Sequence, residues 1–486
     1  MYLAKDKKHL DFSCEEEYFD QENGDFEEEA YSYTVLPFDQ ITTHMMEISK
    51  DVSGVIQLPT PTTRMLLHHF NWDVDKLYER YYESDDPQKL FSEAHIVYPN
   101  DASKKSLKNG DTFDCMICYC DYPAKETVNL ACGHSFCRAC WNSYITVKIT
   151  SEGQSVMISC ANYDCDIIVD EETVLAAISD RAVLRRYEQL KINSFVDCNK
   201  HLRWCPKAGC SRAVKVEFVK FKPVICQCKM VFCFLCNEAW HFPLKCDLLK
   251  KWAKKCSDES ETFTWIAANT KDCPNCKSPI EKNGGCNRIL CRNTNCGYEF
   301  CWLCMQSWRV HGYQPCNRYN STEAKEKANA QAKAREALKR YLFFANRFMH
   351  HGESLKLEHQ LYETVHEKVK LFQQKSASWV ELQFLPKTVD ILCRCRQTLM
   401  YSYAFAYYQQ KNNHLHIFED NQVDFESAVE QLSAYLERDL NFDSIEKVKT
   451  SVLDKSKYCE SRRKAMLTHI EEGYDAGHWV LNEDVL

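Results

Sequence analysis

The sequence predicts a multidomain protein in which three small cysteine-rich modules lie between a short α-helical domain and a C-terminal α-helical bundle. The chain has 486 residues, too many for a single compact core. Most of its 29 cysteines fall in short Cys-x-x-Cys, Cys-x-Cys and Cys-x-His steps between residues 115 and 316. Apolar residues recur at helical spacing before this segment, and stretches rich in strong helix formers follow it.

Residues 1–32 carry acidic runs and few branched aliphatic side chains, which predicts a disordered tail. Residues 33–98 are predicted to form a small domain of three helices. Thr62 and Thr63 are candidate N-caps of one helix, and another is expected to begin at Val74.

The first cysteine-rich module is predicted over residues 111–170. Its eight candidate ligands suit two tetrahedral zinc ions, since each two-residue step presents thiolates from one tight turn. The interleaved order of a RING pairs the first and third steps on one ion and the second and fourth on the other. The two predicted sets are Cys115, Cys118, Cys137, Cys140 and Cys132, His134, Cys160, Cys165.

A linker helix is predicted over residues 171–200, the second module over 201–248, and another linker helix over 249–270. In the second module consecutive quartets are the natural pairing, and a purely structural role is expected. The two predicted sets are Cys205, Cys210, Cys226, Cys228 and Cys233, Cys236, His241, Cys246.

The third module, over residues 271–318, offers nine candidate ligands for two four-coordinate ions. One cysteine, Cys286, is left over, and it follows Gly284 and Gly285, which permit an exposed turn. It is either a nucleophile or an inert spare thiol. The two remaining sets are Cys273, Cys276, Cys291, Cys296 and Cys301, Cys304, His311, Cys316.

Residues 325–480 are predicted to form a helical bundle, with Pro386 marking a break or kink. The three modules together imply six zinc ions. The formal net charge of −8 argues against nucleic-acid binding, although Lys250, Lys251, Lys254 and Lys255 form a local cluster around Trp252. No stretch approaches the ~20 apolar residues of a membrane span, and residues 1–10 lack the apolar core of a secretory signal. Reduced thiols then favour the cytoplasm, alone or together with the nucleus.

At this point the chain resembles the RING-between-RING ubiquitin ligases, and more narrowly the Ariadne family, close to its Ariadne-1 branch. The resemblance rests on several strings: Cys-Met-Ile-Cys at 115–118, Cys-Gly-His-Ser-Phe-Cys at 132–137, Glu-Lys-Asn-Gly-Gly-Cys-Asn at 281–287, Glu-Phe-Cys-Trp-Leu-Cys at 299–304, Cys-Asn-Arg-Tyr-Asn at 316–320, Arg-Tyr-Leu-Phe at 340–343 and Cys-Glu-Ser-Arg-Arg at 459–463. It implies a ubiquitin-associated-like domain before the first RING, an in-between-RING second module, a catalytic third module and a C-terminal Ariadne domain.

The resemblance implies a two-step transfer. The first RING binds a ubiquitin-charged conjugating enzyme, with Ile117 at an apolar contact position. Asp166 stands where many ordinary RING ligases carry a basic residue, which suits a ligase that takes ubiquitin onto itself. Cys286 then accepts ubiquitin as a thioester and passes it to a lysine of a protein substrate.

One departure from the family pattern lies beside Cys286. Arg288 occupies the position of a histidine that is placed to deprotonate the acceptor lysine, and arginine stays protonated. In one interpretation, the charge of Arg288 favours a Cys286 thiolate while discharge onto lysine becomes slower. In the other, Arg288 is a tolerated replacement in a site that has little need of a base. Glu299 matches a carboxylate that accompanies the histidine, and it would compensate in part.

The resemblance also implies autoinhibition by the bundle, with Leu357, Glu419 and Glu430 at the matching positions, and release by neddylated cullin complexes. Two other functions remain open at this stage. One is a weakened scaffold that binds conjugating enzymes or cullins, for which Arg288 is the argument. The other is a zinc-finger nucleic-acid binder, which would show steeply salt-dependent binding.

Overall fold

The computed structural model describes residues 31–83, 87–98, 112–258, 270–282, 286–311, 316, 330–374, 382–438 and 445–482. Within these residues the chain forms two compact units, 31–239 and 240–482. The predicted acidic tail lies outside the described residues except for its last two, and so does the Gly284–Gly285 turn. No helix in the described ranges is long and apolar enough to span a membrane.

The first unit contains a helical domain of four helices within the described residues, one more than predicted. They are α1 (Phe38–Ile56), α2 (Thr60–His69), α3 (Val74–Glu83) and the short α4 (Pro87–Glu93). Buried Ile41, Leu66, Leu67 and Leu77 form its core. The helix α3 begins at Val74 as predicted, after Asn71 and Trp72 turn the chain with φ of 52° and 60°.

The start of α2 differs from the prediction that Thr62 or Thr63 caps it. The helix begins at Thr60 behind Pro59, with Pro61 in its first turn, where the fixed φ of proline is already helical. The Thr63 hydroxyl instead donates to the Pro59 carbonyl at 3.1 Å. A threonine inside the helix therefore bonds back to the preceding turn rather than capping it.

The helical prediction for the start of residues 33–98 is also wrong over its first residues. Tyr33–Leu36 form strand β1, which pairs antiparallel with Ala213–Val216 of the second module. Aromatic and β-branched residues favour a strand, but the pairing partner is remote in the chain. Local sequence therefore could not reveal this edge of the sheet.

The first module consists of two short hairpins and one helix. These are β2 (Thr112–Asp114) with β3 (Asp121–Pro123), β4 (Thr127–Asn129) with β5 (Ser135–Cys137), and α5 (Arg138–Thr150). The linker predicted as one helix is two, α6 (Glu171–Ala177) and α7 (Arg181–Cys198). Asp170 and Asp180 cap them by accepting hydrogen bonds from the N–H groups of Thr173 and Ala182, so the second cap marks the break.

In the second module, β6 (Leu202–Trp204) pairs with β7 (Ala213–Val216), and β8 (Pro223–Ile225) pairs with β9 (Val231–Cys233). The second unit then includes α8 (Cys246–Asp258), within which the second predicted linker helix begins. Trp252 of α8 is buried and packs against Tyr341, Phe348 and Tyr407. Three of the four neighbouring lysines are exposed, as expected for a solvated helix face.

The third module has two hairpins, β10 (Thr270–Asp272) with β11 (Pro279–Glu281) and β12 (Arg288–Leu290) with β13 (Glu299–Cys301), followed by α9 (Trp308–His311). The bundle follows as α10 (Ala330–Gln374), α11 (Phe384–Tyr408), α12 (Asn413–Arg438) and α13 (Ile445–Asp475). Pro386 lies in the first turn of α11, where its missing N–H is not needed, so it does not kink the helix.

Candidate active site and metal centres

The predicted ligands of the first module converge in the interleaved order of a RING. The four ligand atoms of each set lie within 4.8 Å of one another. Cys118 and Cys137, which come from different steps, have their sulfurs 4.0 Å apart. In the other set His134 Nδ1 lies 3.3 Å from Cys132 Sγ and 3.6 Å from Cys160 Sγ, so Nδ1 is the nitrogen that faces the centre. Asn162 contacts the opposite ring nitrogen, which suits a metal-ligating histidine.

The thiols of the other two modules have spacings that fit zinc. Tetrahedral bonds of about 2.3 Å place thiolate sulfurs about 3.8 Å apart. The described pairs are Cys205–Cys228 at 3.4 Å, Cys210–Cys226 at 3.7 Å, Cys273–Cys296 at 3.7 Å and Cys276–Cys291 at 3.6 Å. Cysteines that converge in this way are suited to a d¹⁰ cation with soft ligands.

Two of the predicted sets are described in part. Cys233 and Cys236 end the first unit while His241 and Cys246 begin the second, so this set remains a prediction. In the third module the Cys301 thiol interacts with Cys304 and Cys316. The side chain of His311 lies outside the described residues.

Cys286 does not belong to the quartet of the third module that surrounds it in sequence, Cys273, Cys276, Cys291 and Cys296. It directly precedes Asn287 and β12, and its side chain is buried, with the residue only 2% exposed. The Arg288 N–H donates to its sulfur at 3.5 Å. A donor aimed at sulfur favours the thiolate, which is the nucleophilic form.

Two glutamates of α12 hold the backbone around Cys286. Glu437 accepts a hydrogen bond from the Cys286 N–H at 3.2 Å. Glu430 accepts from the Asn287 N–H at 2.7 Å and from its side-chain amide at 2.9 Å. Hydrogen bonds to a carboxylate are the strong kind, so these three contacts bind the bundle firmly over the cysteine.

A buried charge network lies behind these contacts. Arg396 of α11 donates to Glu430 at 2.6 Å and to Glu358 of α10 at 2.8 Å, and all three side chains are buried. Burial acts to raise the pKa of Glu430, but the Arg396 and Lys282 charges outweigh it and lower that pKa. Glu358 differs, because burial raises its pKa to about 7. Glu430 is therefore the ionised member that faces the third module.

Lys282 extends this network from the third module. Its ammonium lies 3.2 Å from Asn287 Oδ1 and 3.0 Å from the Ser354 hydroxyl of α10. Burial lowers its pKa, partly opposed by the Glu430 charge. Arg347 of α10 also donates to the Cys316 carbonyl, so the bundle contacts the end of the module as well.

Arg288 and Glu299 face each other across the β12–β13 hairpin. One guanidinium nitrogen lies 2.7 Å and 2.9 Å from the two Glu299 oxygens. The guanidinium carbon also lies 5.9 Å from the centre of the Trp308 ring. The predicted neighbour Glu299 is thus engaged with the residue that replaces the histidine.

The structure brings some of the predicted bundle residues to Cys286 and separates others. Glu430 contacts Asn287 directly, and Leu357 lines a cavity of about 850 Å³ together with Cys286, Arg288 and Glu437. Glu419 pairs with His416 at 3.8 Å. It precedes Glu430 by three turns of α12, roughly 16 Å along the axis. In the first RING, Ile117 is 43% exposed beside the more exposed Met116 and Tyr119.

Sequence reasoning missed Glu437, Glu358 and Lys282. For Glu437 a signal existed, since it follows Glu430 by seven residues and therefore lies on the same helix face two turns later. Glu358 and Lys282 carried no comparable signal, because a single charged residue in a helix or loop is ordinarily predicted to be exposed to solvent.

Family comparisons match four segments of the chain. Residues 43–83 match the UBA-like domain of E3 ubiquitin-protein ligase ARIH1, and residues 339–475 match the Ariadne domain. Residues 185–246 match the IBR domain described as a half RING-finger domain, and residues 266–312 match a second IBR domain. With the cysteine clusters of the first module, this order defines a RING-between-RING protein.

Relatives cover nearly the whole chain. E3 ubiquitin-protein ligase arih1 of Xenopus tropicalis is 50% identical over 95% of this chain and 88% of its own. Human ARIH1 is 50% identical over 94% of this chain and 83% of its own, and Drosophila melanogaster ariadne-1 is 48% identical over 97% and 95%. The chain belongs to the Ariadne family of E3 ubiquitin-protein ligases. The predicted resemblance, fold class and enzyme class are confirmed.

Proposed function

We propose that this ligase takes ubiquitin from a conjugating enzyme onto Cys286 as a thioester and passes it to an amine of a protein substrate, a lysine in the family's usual reaction. The single observation that carries the proposal is the state of Cys286. It is a cysteine outside the quartet around it, with an N–H aimed at its sulfur, one bundle carboxylate on its own backbone N–H and another on the N–H of Asn287. A merely structural thiol would not need such a cover.

Conjugating-enzyme binding is assigned to the first RING. Ile117, Met116 and Tyr119 form an exposed apolar surface on its first zinc loop. Exposed apolar side chains that cluster in this way favour a protein partner. Six zinc ions, one for each predicted set, would hold the three modules in shape.

The bundle keeps the enzyme inactive by covering Cys286. The backbone groups at Cys286 and Asn287 must be free of Glu430 and Glu437 before a ubiquitin thioester can reach the sulfur. Release by a neddylated cullin complex is supported by the match of residues 43–83 to the UBA-like domain. A weakened scaffold remains the alternative, because Arg288 cannot accept a proton.

Ubiquitin-conjugation assays with the full-length protein distinguish the active ligase from the scaffold. The wild type should be nearly inactive alone and should gain activity with a neddylated cullin complex, and Cys286→Ala should be inactive in both conditions. A protein that binds conjugating enzyme and cullin but forms no conjugates, even after Glu430→Ala, would favour the scaffold.

A further inference from the structure

Proton acceptors are scarce around Cys286. Attack of an amine on a thioester forms a C–N bond and breaks the C–S bond, and sulfur leaves as the Cys286 thiolate. An ammonium must first lose one proton so that its nitrogen can attack, and the attacking nitrogen must lose another as the amide forms, either to a base beside the site or to water. In residues 271–318 the carboxylate and imidazole side chains are Asp272, Glu281, Glu299 and His311, and His311 is a predicted zinc ligand.

Arg288 occupies the place next to the sulfur. Its N–H donates to Cys286 Sγ at 3.5 Å, and its side chain engages both oxygens of Glu299 at 2.7 Å and 2.9 Å. A guanidinium cannot take up a proton. The Glu299 carboxylate is therefore engaged in an ion pair, and the residue whose backbone N–H lies beside the sulfur carries a side chain that cannot act as a base.

The other charged groups described around this site are cations of the third module or belong to the bundle. On the third module, Lys282 contacts Asn287, and Arg292 lines the cavity beside Cys286. From the bundle come Lys368, which lines the same cavity, and the two glutamates on the Cys286 and Asn287 backbone. Arg396 lies behind Glu430, and His350 and Glu353 lie behind Lys282. The charges of the bundle move away together when it releases the module.

We propose that the released site prefers acceptor amines that are already neutral at cellular pH, α-amino groups of protein N-termini above all, over lysine side chains. This inference rests on the proposed thioester at Cys286 and names the acceptor class of that same site. The proton of the attacking amine goes to water or buffer.

The size of the preference follows from the two amines. At pH 7.4 roughly 30% of an α-amine with pKa about 7.8 is neutral, against roughly 0.1% of a lysine with pKa about 10.4, a ratio of roughly 300. The less basic amine is also the weaker nucleophile; with the Brønsted coefficient of about 0.45 that describes thiol nucleophiles, the difference is roughly 15-fold. The net expectation is discharge onto the α-amine roughly 20-fold faster than onto lysine.

The test uses full-length Glu430→Ala protein, or Glu437→Gln if that variant folds poorly, loaded on Cys286 from a charged conjugating enzyme. Discharge is timed with two matched peptides. One has a free N-terminus and arginine in place of its lysine, and the other is N-acetylated with a single lysine. The α-amine peptide should react at least 10-fold faster at pH 7.4. The lysine rate should rise close to 10-fold per pH unit up to pH 9.

Two variants separate this role from a merely structural one. Arg288→Lys keeps the cation and should keep the α-amine preference. Arg288→His supplies a base, which typically contributes roughly 10²–10⁴-fold, so lysine discharge should rise at least 10-fold and lose its steep pH dependence. Equal or faster discharge onto lysine at pH 7.4 by the loaded protein that keeps Arg288 would overturn the inference while leaving the thioester intact. Failure to load Cys286 at all would overturn the proposed function, and the inference with it.

Discussion

Replacing Glu430 by alanine should open the site over Cys286. In the closed arrangement Glu430 accepts two hydrogen bonds from Asn287, at 2.7 Å and 2.9 Å. Its bond to Arg396 lies within the bundle, so that bond does not distinguish the closed arrangement from the open one. At about 1.5 kcal/mol for each bond to a charged acceptor, the loss is about 3 kcal/mol. The open fraction should rise roughly 100-fold.

The assay is the rate at which iodoacetamide alkylates Cys286 in the full-length chain, read by mass spectrometry of the peptide that contains it. The matched control is Glu426→Gln on the same helix. Glu426 is also a buried carboxylate, but its described partners are Tyr403 and His351 of the bundle, and not the Cys286 and Asn287 backbone. Glu430→Ala should accelerate alkylation roughly 100-fold and Glu426→Gln by less than about 3-fold. Equal acceleration by both would mean that a loosened bundle, and not the Asn287 contact, exposes the cysteine.

Further outcomes follow for the metal sites and for pH. Native mass spectrometry should find six zinc ions in the wild type and in Cys286→Ala, and five in Cys291→Ala; loss of an ion from Cys286→Ala would make that cysteine a ligand. Burial lowers the pKa of His350 to about 4, so the folded state binds fewer protons than the unfolded state, and stability falls as pH falls through 6.5. From pH 7.5 to 5.5 this should remove about 1.4 kcal/mol. His350→Gln should lack that part of the decrease in thermal unfolding temperature, and an unchanged pH dependence would assign it to other groups.

The metal sets were the part of the site most open to prediction. A zinc ion requires particular side chains at short spacings, so Cys115, Cys118 and their partners are recognisable without knowledge of the fold. Cys286 could be singled out because two four-coordinate zinc ions take eight ligands and the third module offers nine candidates. The bundle contacts that cover Cys286 were harder to predict, because Glu430 cannot be distinguished from an ordinary helix-surface glutamate until the structure places it against Asn287.

The missed features depend on contacts between remote residues. Strand β1 forms by pairing with Ala213–Val216, and nothing in residues 33–36 themselves identifies that remote partner. Lys282 can be buried because its ammonium donates hydrogen bonds to Asn287 and Ser354. The role of Glu419 stays a prediction: its described partner is His416, and Glu430, three turns later on α12, is the glutamate whose contact with Asn287 is described.

The most direct test of the account is a thioester trap on the full-length Glu430→Ala protein. It would be mixed with a ubiquitin-charged conjugating enzyme, quenched within seconds and run on a non-reducing gel. Covalent catalysis at Cys286 predicts a ubiquitin adduct that reductant removes. The adduct should be absent when Cys286→Ala is added. It should persist with Cys393→Ala, which changes a cysteine of α11 outside the predicted zinc sets. An adduct that survives Cys286→Ala, or no adduct from a folded, zinc-loaded protein with any of several conjugating enzymes, would contradict covalent catalysis at Cys286.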